Sequence, residues 1–112
     1  MNILCFGDSN TWGYRPDRKG RFDENIRWTG LLQKRLSPDC HIIEEGLCGR
    51  TTIFQDELRE NRRGLDMVGA TVEMHNPLDL VIIMLGTNDC KSRYGASASV
   101  IAKGLDQVIR KA

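Results

Sequence analysis

The sequence carries no surplus of charge: 16 Lys and Arg stand against 15 Asp and Glu, a formal net charge of +1. Nucleic acids and anionic membrane surfaces select strongly basic faces, so neither is expected as a partner. A long apolar run is also lacking. The longest, Leu80 to Leu85, is far short of the roughly 20 residues that cross a bilayer. Met1 to Ser9 has neither a basic start nor an extended apolar stretch. No secretory signal is therefore expected, and the chain reads as cytoplasmic, with reduced thiols. Metal chemistry is equally thin. Only two histidines occur, and Cys5, Cys40, Cys48 and Cys90 form no C-x-x-C pair, so neither a zinc site nor another metal or cofactor is expected. The phosphate-cradling patterns G-x-x-x-x-G-K-[ST] and G-x-G-x-x-G are both absent.

What is present is globular in composition, 40% hydrophobic and 28% charged over 112 residues. That suffices for one modest core, so residues 1–112 are treated as belonging to a single domain. Ile3 to Phe6 is a short apolar run closed by Gly7, which predicts a buried strand. Trp28, Leu31, Leu32 and Leu36 fall on one helical face, stopped at Ser37-Pro38. His41 to Ile43 predicts a second strand. Thr51 to Arg63 reads as a polar connection, in which Arg59 to Arg63 is a solvated face. A helix is predicted over about Leu65 to His75. Leu80 to Leu85, apolar without alternation, predicts a strand covered on both faces. Val100 to Ile109 continues as a last helix. Cys5 and Cys40 read as small buried filler.

Strand, helix, strand, helix, strand, helix is the signature of an α/β sheet of three parallel strands. In a 2-1-3 order the loops after the three strands share one rim, where α/β sheets bind ligands. Those loops are Gly7 to Gly13, Gly46 to Thr51 and Gly86 to Asp89, each setting glycine beside short polar residues. Three strands are few for this architecture, and the chain ends on a helix where a fourth strand is expected; it reads as the N-terminal portion of a larger domain.

Acyl transfer needs a hydroxyl nucleophile at a sharp turn, donors aimed at the developing oxyanion, and a base. Ser9 fits the first. The backbone N–H groups of Ser9 and Gly49 and the side-chain amide of Asn88 fit the second. The base is missing: His41 and His75 both fall at the opposite end of the sheet. Taken singly, Ser9 also reads as a helix cap and Asn88-Asp89 as a turn. The elbow G-x-S-x-G is absent, since position 11 is Thr.

Gly7-Asp8-Ser9, Gly49 within Gly46 to Thr52, and Gly86-Thr87-Asn88-Asp89 resemble the first three blocks of the SGNH (GDSL-type) hydrolases. Cys5 to Gly13, Arg27 to Gly30 and Pro77 to Asp89 are similar to its arylesterase and acyltransferase branch. The resemblance implies a flavodoxin-like three-layer α/β/α fold, strands 4 and 5 of which are absent from this chain. It implies Ser9 as nucleophile and Ser9, Gly49 and Asn88 as the oxyanion hole. Asp8 would support the nucleophile turn; Trp12, with Tyr14 nearby, reads either as a wall of the acyl pocket or as an ordinary packing residue. No cofactor is implied. The expected partners are a small ester and, as in related proteins, further copies of the chain. The family's acid/base block, D-x-x-H, has no counterpart: the residues three before His41 and His75 are Pro38 and Val72. An esterase parent is the first expectation, with this chain nearly inactive alone. The alternative is a non-catalytic flavodoxin-like unit that pairs through an open sheet edge.

Overall fold

The computed structural model describes all 112 residues. β1 (Asn2–Gly7) runs into a single helical turn, α1 (Ser9–Trp12). Then follow α2 (Trp28–Leu36), β2 (His41–Gly46), α3 (Gly64–His75), β3 (Leu80–Met84) and α4 (Ala98–Lys111), with two 3₁₀ turns, Asn88–Cys90 and Ser92–Tyr94, between β3 and α4. The sheet is parallel, in the order β2-β1-β3, with Gly7 opposite Gly46 on one side and Met84 on the other. All three strands thus end level, and the three following loops leave from one edge.

Alternation along β1 sends its side chains to two faces. Ile3 and Cys5, with Ile42 of β2, meet Trp28, Leu32 and Leu36 of α2. Phe6 points the other way, to Val68 of α3 and Val108 of α4. Helices therefore cover both faces, as the three-layer reading requires.

Several boundaries differ from the sequence reading. β2 continues past Ile43 through Glu44, Glu45 and Gly46, because β1 offers a ladder partner to every one of them. Leu31, placed by periodicity on the buried face of α2, is 42% exposed. β3 is covered on both faces only in part, Ile82 packing toward α2 and Ile83 toward α3 and α4. It is an edge strand, and Leu80 and Met84 at its ends are exposed. An apolar groove of about 380 Å³ lies between Val81 and Ile83 and the end of α4 at Ile109 and Ala112. No helix is long and apolar enough to cross a membrane.

All four cysteines are free thiols. Burial, with the nearby Glu44 charge, pushes the Cys5 thiol from its ordinary 9.0 up to about 11. Between those values the unfolded chain has released a proton that the folded chain still holds. The stability this group confers is thus intact below pH 9.0 and is lost as pH rises toward 11. Denaturation midpoints measured across that window should fall less steeply in Cys5→Ala than in the native chain; parallel curves would contradict the assignment.

Candidate functional site

β1 ends at Gly7, and the backbone turns at once into α1. A Cβ on Gly7 would lie 2.1 Å from Thr11 Oγ1, so the turn closes only without a side chain there. Asp8, buried, caps α1: its Oδ1 accepts from the Asn10 N–H at 2.9 Å. The cap is thus Asp8 and not Ser9, which becomes the first helical residue, half-buried at the rim. Gly13, at φ 91°, ends the turn by donating to Ser9 O at 2.8 Å. Burial pushes the Asp8 carboxyl up and the Asp89 charge adds to this, while hydrogen bonding from Asn10 pulls it down.

The loops after β1 and β2 are joined at the carbonyl of Gly7, which accepts from the Leu47 N–H and from Arg50 Nη1, both at 3.1 Å. Arg50 is 4% exposed. Its Nη1 also donates to Glu45 O at 2.7 Å, and its guanidinium carbon lies 3.9 Å from the centre of the Phe6 ring. Burial lowers its pKa to about 10. The loop after β3 joins through the same residue, since Asn88 Nδ2 donates to Arg50 O at 3.0 Å. Asp89, fully buried, completes the connection by accepting from the Thr52 N–H at 3.0 Å and from the Thr52 hydroxyl. Ser9, Gly49 and Asn88 therefore stand on three loops that are hydrogen-bonded into one rim.

The candidate donors on that rim are free. Neither Ser9 N–H nor Gly49 N–H has a protein acceptor, and only one N–H of the Asn88 amide is used, toward Arg50. Gly49 is buried at φ 84°, a left-handed conformation that disfavours any side chain. Ser9 Oγ has no hydrogen-bond partner. His41 is exposed at the start of β2, and His75 bonds Glu45 through Nε2 at 2.8 Å. His75, the last residue of α3, is thus half-buried against a β2 carboxylate. Neither histidine contacts Ser9.

Trp12 is the last residue of the α1 turn that begins at Ser9. Arg21 donates to its carbonyl at 2.6 Å and lies over its ring at 5.1 Å, and Tyr14 lies against it at 6.5 Å. Arg21 and Arg27 converge on Glu44 of β2, and hydrogen bonding from Arg27 holds that carboxyl below its usual range. Gly46 lets α1 approach, for a Cβ there would lie 2.3 Å from Trp12 N.

The residues 5–112 match the family described as GDSL-like lipase/acylhydrolase. The chain belongs to that family. Among solved structures it is similar to the aryl esterase of M. smegmatis, at 43% identity and a TM-score of 0.95 over 99% of this chain and 54% of that one. It is also similar to a carbohydrate acetylesterase family member from Sinorhizobium meliloti, at 40% identity and a TM-score of 0.93 over 98% of this chain and 52% of the other. An SGNH-hydrolase family esterase at 24% identity and a TM-score of 0.74 shares the fold. No match was found among curated proteins. The chain spans about half the length of the family structures it matches.

Within this SGNH frame, the residues that sequence reasoning passed over are Arg50, Thr52 and the arginine run. Arg59 to Arg63 is a solvated face only in part: Arg59, Glu60 and Asn61 are exposed, but the run also braces its neighbours. Arg62 Nε donates to Cys48 O and Arg63 Nε to Ile53 O, while Arg59 packs on Gly49. Replacing Asp89 by Ala strips the acceptor from two buried Thr52 donors, so a loss of about 1–3 kcal/mol is expected in urea unfolding. A loss below about 0.5 kcal/mol, the range of featureless surface changes, would show that the rim is held by other bonds.

Proposed function

We propose that the chain forms the nucleophile and oxyanion side of a serine ester hydrolase acting on small carboxylic esters of the aryl or acetyl kind. Ser9 Oγ attacks the ester carbonyl. Its proton passes to a base outside this chain. The carbonyl oxygen, now negative, rests against Ser9 N–H, Gly49 N–H and Asn88 Nδ2. The alcohol then leaves with a proton, and water or a second alcohol takes the acyl group from Ser9. The observation that carries the reading is the set of unpartnered donors on one hydrogen-bonded rim, beside a serine at the end of β1. The names of the similar structures support the ester class. Asp8 holds the turn through its cap, and Trp12 walls the acyl side.

A fluorophosphonate probe places a P=O group where the oxyanion would form. With imidazole supplied as external base, labelling should map to Ser9 by mass spectrometry and vanish in Ser9→Ala. In Asn88→Ala it should slow by about 10²–10³, the usual effect of one lost oxyanion donor. Labelling spread over other serines, or unaffected by Asn88→Ala, would overturn the reading.

A second reading concerns the open edge of β3 with its apolar groove. Unpaired strand edges recruit further strands. The relatives are about twice as long as this chain, so the occupant that fits is a parallel strand and helix from polypeptide carrying the rest of the family fold. Mixed with the C-terminal half of the M. smegmatis protein, the chain should sediment as a 1:1 complex. Separate species, or a homodimer that excludes the added half, would rule this out.

A further inference from the structure

Arg59 is the one arginine of the 59–63 run that bonds no backbone carbonyl. Its guanidinium approaches Gly49 through Nη2: an added Cβ would sit 1.9 Å from Nη2 and 2.7 Å from Cζ. The only protein charge paired with it is Asp56, at 3.6 Å from Nε, an ion-pair separation longer than a hydrogen bond. The Asp56 side chain is 1% exposed and is already satisfied elsewhere, by the Leu58 N–H at 2.9 Å and by Arg93 at 3.1 Å. Hydrogen bonding from Leu58, with the charges of Arg93, Arg59 and Lys91, holds its carboxyl below the usual range. One carboxylate thus faces three cations, and the Arg59 donors are left without an acceptor beside the glycine whose own N–H is also free.

We infer that Arg59 selects the substrate, favouring esters that carry a carboxylate a short distance from the scissile carbonyl. This rests on the proposed role of Gly49 as an oxyanion donor. The planar fork of a guanidinium fits a carboxylate through two parallel N–H···O bonds. Arg59 also lines an open cleft of about 510 Å³ whose other walls include Glu57, Glu60 and Asp66. Those carboxylates repel an anion that reaches further out. The accepted negative charge therefore sits close to Gly49, and a hemisuccinate, whose carboxylate lies two methylenes from the ester, is a short anionic ester that probes it.

Binding reads this without any turnover. Monomethyl succinate titrated into the ¹⁵N-labelled chain should shift the Gly49 N–H and Arg59 Nε–H resonances saturably, and dimethyl succinate should bind about ten-fold more weakly. Arg59→Gln should erase the preference and Arg59→Lys should retain part of it. Both variants leave Asp56 with Arg93 and the Leu58 N–H, so the fold is kept. Ser9→Ala should bind as the native chain does. Equal affinity for the two esters, no shift at either resonance, or a preference unchanged in Arg59→Gln would overturn the inference. A clear preference without phosphonate labelling of Ser9 would sink the esterase reading alone. Labelling without the preference would sink this inference alone.

Discussion

The carbonyl oxygen of Gly7 is the point from which the rim of this sheet hangs. It accepts from Leu47 and from Arg50, and so fixes the loop after β2 to the last residue of β1. The main-chain oxygen of Arg50 then receives the Asn88 amide and fixes the loop after β3. Removing the cation from the middle would take a donor from the carbonyls of Gly7 and Glu45, leaving Gly7 with Leu47 alone. Placing it there is costly, because a guanidinium loses water that two carbonyls and an aromatic face replace only in part. One nitrogen, Nε, is left without a partner, and the depressed pKa reports the same deficit. The tight turn of β1 into α1 and the packing of both core clusters offset this cost elsewhere.

Around that centre the chain uses charge to hold loops and hydrophobic area to hold layers. Phe6, Val68 and Val108 join β1 to α3 and α4, and Ile3, Cys5 and Ile42 join the sheet to α2. Each loop is braced by arginine: Arg21 and Arg27 at Glu44, Arg62 at Cys48, Arg63 at Ile53. Gly104 brings α4 against Thr52, where a Cβ would lie 2.5 Å from Oγ1. The last helix thus presses on the residue that Asp89 holds.

The strands and the helices were legible in the sequence because each rests on local pattern, apolar runs closed by glycine and helical spacing closed by proline, whereas the 2-1-3 order rested on the family resemblance. Ser9, Gly49 and Asn88 stood out because strand ends in such sheets are a known place for chemistry. Arg50 and Arg59 were not legible. A buried arginine and a solvated one are the same letter, and what separates them is which carbonyl or glycine the fold brings near, a contact across 43 residues for Arg50 and Gly7. The apolar run of β3 reported its two covered faces, Ile82 to one side and Ile83 to the other, but not that it lies at the edge of this sheet.

The glycines at 7 and 46 have a practical consequence for anyone wishing to diversify this scaffold. At both, the obstacle to a larger residue includes atoms of the α1 turn itself: Thr11 against position 7, the Trp12 backbone against position 46. Libraries that randomise either position would return misfolded protein in place of altered selectivity. Reshaping the rim is therefore left to exposed positions of the surrounding loops, such as Glu57, Leu58, Glu60 and Asn61, that hold no carbonyl in place.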